Sequence, residues 1–234
     1  MTAPNISNPT HPAAAMNQVR LPRTAALGPG LGGQPRLLID APAGAAEIYL
    51  HGATLTSWVP RGGSEVIFTS RQAVFDGSTA IRGGIPLCLP EFGVGINGDA
   101  VPKHGWARIA PWQLRMVAST DDGGVRALLS VSRDHLTALY EVEIGETLRL
   151  GLSLRNDGNA PRTVEAAAHT YLSVHDVTAS LISGLAGASY SDNLAHSPQE
   201  AHRVQDGDVR ISGPVDRIYA SAEPVPVTDP GHER

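Results

Sequence analysis

Residues 147–155, with the sequence TLRLGLSLR, decide the fold class of this chain. Leucine occupies every second position from Leu148 to Leu154, and arginine, glycine or serine stands between the leucines. Successive side chains of a β-strand point to opposite faces, so this alternation predicts a strand with one buried face. Residues 141–144, EVEI, alternate in the same way, and Gly145–Glu146 separates the two segments as a turn. The pattern predicts two neighbouring antiparallel strands.

Short strands and turns continue outward from this pair in both directions. The clusters DDGG at residues 121–124 and NDGN at 156–159 are typical of tight turns between strands. Further strands are predicted at residues 47–51, 66–68 and 125–131. No long amphipathic helical repeat interrupts them, and strands recur about every 8–12 residues, which favours a large antiparallel β-sandwich. The fold class is therefore all-β.

The first 34 residues differ from the rest of the chain in composition. They are rich in alanine, proline, asparagine and threonine, which bury too little apolar surface to offset the cost of ordering the backbone. We therefore expect residues 1–34 to form a flexible tail and residues 35–234 to form one β-sandwich domain. The tail lacks the apolar middle region of a secretory signal, and no run of about 20 apolar residues occurs, so a cytoplasmic location is expected.

The overall composition is that of an ordinary globular protein, with 41% hydrophobic and 18% charged residues. A formal net charge of -5 argues against a general nucleic-acid or membrane-surface binder. The single cysteine, Cys88, excludes an intramolecular disulfide framework. Because Cys88 lies within the apolar run at residues 85–89, we expect a buried structural thiol.

Residues 81–108, IRGGIPLCLPEFGVGINGDAVPKHGWAR, combine many glycines with two arginines and a histidine. Glycine allows a ligand to approach the backbone closely. Arg82 and Arg108 offer forks of donors that suit phosphate or carboxylate, and His104 lies between them in the sequence. The spacing alone supports an anionic ligand, with solvated surface arginines as the alternative.

Residues 162–174, RTVEAAAHTYLSV, are predicted to be extended. In a strand, His169 and Tyr171 project from the same face, next to the small Ala167. Such a face suits a small polyhydroxy ligand, although the spacing alone favours a histidine that is hydrogen-bonded within a strand. Further on, residues 183–193 form a glycine-spaced turn that carries Asp192.

Other site types find no support in the sequence. The nine histidines lack the tight clusters of zinc sites, and no acidic calcium-binding loop occurs. Neither a phosphate-binding loop with Lys-Ser/Thr nor a dinucleotide fingerprint is present.

Taken together, the motifs resemble the aldose 1-epimerase superfamily, specifically its hexose-6-phosphate mutarotase (glucose-6-phosphate 1-epimerase) branch. The resemblance covers roughly residues 36–230 and rests on several motifs in the right order. These are HGATLTSW at residues 51–58, FDGSTAIRGGIP at 75–86, HGWAR at 104–108, AHTY at 168–171, GLAG at 184–187 and YSD at 190–192.

The resemblance implies an antiparallel β-supersandwich that interconverts the α and β anomers of a hexose 6-phosphate without a cofactor. By this resemblance, Arg82 and Arg108 bind the phosphate and Asp192 binds sugar hydroxyls. His169 is the general acid that protonates the ring oxygen, and His104 binds or positions the substrate. An imidazole suits this acid because it exchanges protons near neutral pH.

The chain departs from the family pattern at two positions near the proposed site. Lys103 stands where the family usually has a glutamine that contacts the substrate. The Lys103 ammonium either adds charge to the phosphate pocket or lies in solvent. Glu91 replaces a customary tryptophan, which removes aromatic wall area and adds a charge.

The family's general base, a glutamate, corresponds to a position after Arg234, and neither Glu223 nor Glu233 matches it. We therefore expect a domain without its last strands, whose exposed sheet edges favour self-association. Three hypotheses stay open: an active epimerase, a sugar-phosphate-binding protein without turnover, and an incomplete gene product.

Overall fold

The computed structural model describes residues 19–197 and 201–232, which divide into two compact units between Leu172 and Ser173. The first unit contains β1 (Ala25–Pro29), β2 (Pro35–Ala41), β3 (Gly44–Tyr49), β4 (Thr54–Pro60), β5 (Leu87–Cys88), β6 (Gln113–Ser119), β7 (Val125–Arg133), β8 (Leu136–Ile144), β9 (Leu148–Asn156) and β10 (Ala167–Ala168). It also contains the 3-10 helices Leu31–Gly33 and Ala107–Ile109. No helix of the described residues has the length and apolar character needed to cross a bilayer.

Two four-stranded antiparallel meanders build the first unit, in the orders β1-β2-β3-β4 and β6-β7-β8-β9. Each follows chain order because short turns join most of its strands. One apolar cluster spans both sheets and includes Ile48 of β3 and Tyr140 of β8, which are 0% and 1% exposed. The short pair β5-β10 lies outside both meanders.

The second unit is made of shorter strands: β11 (Leu181–Ile182), β12 (Ser189–Asp192), β13 (His202–Val204), β14 (Val209–Arg210), β15 (Arg217–Tyr219) and β16 (Val227–Thr228). They form two three-stranded antiparallel sheets, in the orders β14-β11-β16 and β13-β12-β15. The 3-10 helix Pro230–His232 follows β16.

The all-β, antiparallel prediction is confirmed. The alternating leucines lie in β9, which pairs with β8 over its whole length, from Leu136 opposite Asn156 to Ile144 opposite Leu148. The strand predicted at residues 125–131 is β7, and Cys88 is fully buried, as expected. In contrast, the strand predicted at residues 66–68 is reduced to isolated bridges at Ile67 and Thr69.

The prediction of a flexible tail is wrong for residues 25–29. Residues 1–18 lie outside the described residues, but residues 25–29 form β1 and pair with β2. The pairing places Leu27 opposite the fully buried Leu37, and Leu27 packs against the apolar cluster. The composition of residues 1–34 did not reveal this strand. A few apolar side chains are enough to order a segment when a neighbouring strand supplies both the hydrogen bonds and the hydrophobic face.

Candidate active site

The site is built where the glycine-rich segment before β5 runs alongside the segment after β10. The His169 amide donates a hydrogen bond to Pro86 O at 2.9 Å, and the Tyr171 amide donates to Gly84 O at 2.9 Å. Gly84 has a φ of 72°, and a Cβ there would lie 2.4 Å from Leu55 O. Only glycine fits this position, since it adopts a positive φ without strain and leaves room for the neighbouring carbonyl.

This pairing forms a cavity of about 440 Å³ in the first unit. Its volume lies in the range of small-molecule sites, roughly 300–1,000 Å³. The cavity brings together four side chains that the sequence singled out, Arg82, Arg108, His169 and Tyr171. The rest of its lining consists of Gln72, Val74, Thr79, Ala80, Ile81 and Pro86.

The two arginines leave their charges available to a ligand. Within residues 19–172, neither Arg82 nor Arg108 forms an ion pair with a carboxylate. The Nη2 atom of Arg108 donates to Lys103 O at 2.8 Å, which orients the guanidinium without neutralising it. Two uncompensated guanidinium groups at one cavity favour an anionic ligand.

His169 and Tyr171 share a face, as the alternation predicted. Their ring centroids are 5.0 Å apart and the rings are inclined by 34°. Both side chains are half-buried, so the His169 imidazole is held on one side by an aromatic ring and is open to the cavity. The segment forms a regular ladder only at Ala167–Ala168, because further on it bonds to irregular backbone rather than to a neighbouring strand.

His104 lies next to His169, with ring centroids 6.0 Å apart and an angle of 86° between the rings. Its φ of 65° falls in the left-handed region, where histidine is one of the more tolerated residues. The Nδ1 atom accepts a hydrogen bond from the Gly93 amide at 3.1 Å and lies 3.4 Å from Cys88 Sγ. Burial lowers the pKa of His104, and the nearby cationic groups of Arg108, His169 and Lys103 lower this pKa further.

Lys103 and Asp192 are placed differently. Lys103 is exposed and is not part of the lining of the cavity, although its carbonyl holds Arg108. Asp192 belongs to the second unit, where its carboxylate accepts a hydrogen bond from the Leu194 amide at 3.0 Å and lies 3.7 Å from Arg217 Nε. The substrate-binding roles of both residues stay predictions.

The motif at residues 75–86 contributes to the family resemblance, but its first turn was not predicted to form one wall of the cavity. Asp76 accepts hydrogen bonds from the Ser78 and Thr79 amides at 2.8 and 2.7 Å, and these bonds lower the pKa of Asp76. Thr79 O in turn accepts a hydrogen bond from the buried His51 at 2.9 Å. The order Asp-Gly-Ser-Thr is a recognisable signal for such a turn. Its position at the cavity depends on the distant His51 and could not be found locally.

Comparison with known proteins gives a consistent result. Residues 35–233 match the model of the aldose 1-epimerase family. A protein of Cenchrus ciliaris named "Putative glucose-6-phosphate 1-epimerase" is 32% identical over 194 residues, which are 76% of this chain and 57% of that protein. A Salmonella typhimurium protein of the same name is 29% identical over 196 residues, 80% of this chain and 64% of that protein. The chain therefore spans less than two thirds of the length of these relatives.

A solved structure agrees with the fold. The crystal structure of a Salmonella typhimurium protein described as a "putative mutarotase" matches with a TM-score of 0.79 and 28% identity. The match covers 90% of this chain and 71% of that one.

Proposed function

Because this chain belongs to the aldose 1-epimerase family, we propose that it binds a hexose 6-phosphate and interconverts its α and β anomers. The observation that carries the proposal is the convergence of Arg82, Arg108 and His169 on one cavity. The arginines supply cationic donors for a phosphate, and the histidine supplies a group that exchanges protons near neutral pH. The name of the relatives, which describes an epimerase acting on glucose 6-phosphate, supports the same substrate class.

In the proposed reaction, His169 donates a proton to the ring oxygen of the sugar as the bond from this oxygen to the anomeric carbon breaks. The anomeric hydroxyl passes its proton to a water molecule, which leaves an open-chain aldehyde. Rotation about the bond between the first two carbons, followed by reversal of both proton transfers, closes the ring with the opposite configuration. A positioned acid or base typically contributes about 10²–10⁴-fold to such a step.

A second candidate function is binding of the sugar phosphate without turnover. The described residues that line the cavity include no carboxylate, so we assign the acceptor of the anomeric proton to none of them. Binding requires the arginines but no base. The two candidates therefore share a ligand and differ in catalysis.

The remaining predicted roles extend the proposal. Asp192 binds sugar hydroxyls, Lys103 adds positive charge near the phosphate and His104 positions the substrate. The partner is a small sugar phosphate in the cytoplasm.

Calorimetric titration with glucose 6-phosphate tests the shared ligand. We expect Arg82→Ala and Arg108→Ala each to weaken binding by about 10- to 100-fold, because a charge-assisted hydrogen bond contributes about 1.5–3 kcal/mol. Arg149→Ala is the matched control, since this exposed arginine is paired with Glu143 and is not part of the cavity. Equal affinity in all four proteins would exclude the phosphate site.

A coupled assay that starts from pure α-glucose 6-phosphate separates the two candidates. Acceleration of anomer interconversion above the buffer rate supports the epimerase. Tight, arginine-dependent binding with no acceleration at micromolar protein supports the binding protein.

A further inference from the structure

We propose that the Gly93 amide and the Cys88 thiol together hold His104 as the neutral tautomer that carries its proton on Nε2. His104 is then a fixed hydrogen-bond donor beside His169, not a second acid or base. The use of this donor on a sugar phosphate rests on the proposed function, whereas the tautomer itself does not.

The direction of the Gly93 hydrogen bond decides the tautomer. A backbone amide only donates, and the Gly93 N–H points at His104 Nδ1 over 3.1 Å. An imidazole nitrogen accepts through a single lone pair and must be unprotonated to do so. A proton on Nδ1 would face the amide hydrogen directly. The ring proton therefore lies on Nε2.

The loop at residues 92–104 holds both the backbone and the ring of His104. The His104 amide donates to Gly93 O at 2.7 Å, while the Gly93 amide donates to the His104 ring. The two residues thus exchange hydrogen bonds, and the Phe92 ring packs edge-on against the imidazole, with centroids 5.2 Å apart. His104 cannot turn its ring without breaking these contacts.

The Cys88 thiol shares the same lone pair of Nδ1 as a second, weaker donor. Its sulfur lies 3.4 Å from His104 Nδ1, and the side chain is fully buried on β5. Burial raises the pKa of the Cys88 thiol, so it stays protonated and presents S–H rather than a thiolate. A thiolate would attract a proton to Nδ1, and the neutral thiol avoids this.

The charged surroundings also oppose a second proton on His104. Arg108 from the 3-10 helix, His169 from the segment after β10 and the neighbouring Lys103 are all cationic or able to become so. Within residues 19–172 no carboxylate forms an ion pair with His104, and the Glu165 carboxylate accepts a hydrogen bond from the Phe92 amide at 3.3 Å. Together with burial, these groups favour the uncharged ring.

We call this arrangement, in which the Gly93 amide and the Cys88 thiol donate to His104 Nδ1, the His104 lock. It gives the two imidazoles different roles. The His169 ring packs against Tyr171 and lines the cavity, where the proposed function gives it the role of the acid. His104, with its proton fixed on Nε2, offers one hydrogen bond of constant direction.

Nuclear magnetic resonance of protein labelled with ¹⁵N in histidine tests the lock without substrate. The two ring nitrogens of His104, identified by the signals that disappear in His104→Asn, are expected to show a protonated Nε2 and an unprotonated Nδ1. His104 should also stay neutral at a pH at which a short histidine peptide is already half protonated. A proton on Nδ1, or titration together with the peptide, would overturn the proposal. Because the protein is unliganded, an inactive protein with locked His104 contradicts only the proposed function.

Two variants measure how much the Cys88 thiol contributes to keeping His104 neutral. Cys88→Ala removes the second donor and is expected to raise the titration midpoint of His104. Cys88→Ser keeps a donor, so its midpoint is expected to equal that of the unsubstituted protein. Equal midpoints in all three proteins would remove Cys88 from the lock and leave the Gly93 amide alone.

The lock also has a consequence for stability. A histidine whose pKa is lowered on folding binds fewer protons in the folded state than in the unfolded state. Its contribution to the free energy of unfolding is therefore present above its unfolded pKa of about 6.5 and is lost as the pH falls below that value. His104→Asn keeps an acceptor for the Gly93 amide and tolerates the left-handed backbone. This variant should therefore flatten the fall in unfolding free energy between pH 7 and pH 5, as followed by tryptophan fluorescence. An unchanged slope would contradict the lock.

Discussion

The proposed chemistry depends on one residue, His169. We expect His169→Gln to lower the rate of anomer interconversion by about 10²–10⁴-fold, because a glutamine amide cannot deliver a proton at neutral pH. Binding of the sugar phosphate should change much less, since the proposed phosphate donors are Arg82 and Arg108 and not His169. The measurement is the coupled anomer assay, with the buffer rate subtracted, alongside calorimetric titration.

Tyr171→Phe is the matched control for this substitution, since it keeps the ring that packs against His169 at 5.0 Å. It should retain most of the rate. Full activity of His169→Gln would exclude His169 as the acid.

Single residues also mark the limit of prediction from the sequence. The shared face of His169 and Tyr171 could be predicted because strand periodicity is a local property. The contact between Cys88 and His104 could not, because their 16-residue separation is bridged only by a loop of irregular backbone. Asp192 was singled out by resemblance to a motif, and its contacts with Leu194 and Arg217 follow from the sheet around it.

At the scale of elements, long regular ladders were predictable and short ones were not. Strand β9 has nine residues with one apolar face and was predicted over residues 148–155, whereas the equally long β8 was predicted over its last four residues, 141–144. The segments at residues 66–68 and 162–174 have similar side chains, yet they form bridges and a two-residue ladder. Both segments bond to Gly84, which donates to Phe68 O and accepts from the Tyr171 amide, and its φ of 72° is not revealed by periodicity.

The loop that carries His104 depends on one such glycine. Gly105 has a φ of 69°, and a Cβ there would lie 2.2 Å from Leu89 O and 2.7 Å from Pro90 N. We expect Gly105→Ala to cost about 2–5 kcal/mol of unfolding free energy, from the left-handed backbone and from the clash. Urea unfolding followed by tryptophan fluorescence measures this cost.

Gly33→Ala separates the two causes. Gly33 has a φ of 71°, and a Cβ added there would meet nothing within 4 Å, so its substitution should cost only the backbone contribution of about 1–2 kcal/mol. Equal losses in the two variants would show that the contact with Leu89 and Pro90 has no role.

At the scale of the whole molecule, the protein and its proposed ligand carry charge of the same sign. The chain has a net charge of -5, so the average field repels a sugar phosphate, while Arg82 and Arg108 attract it at the cavity. Because the arginines act at contact and the acidic residues are spread out, we expect affinity for glucose 6-phosphate to fall as salt rises from about 0.05 to about 0.5 M. Glucose, which has no charge, should bind with the same affinity at both concentrations. In Arg82→Ala the salt dependence should be shallower, and an equal dependence for both sugars would contradict electrostatic recognition.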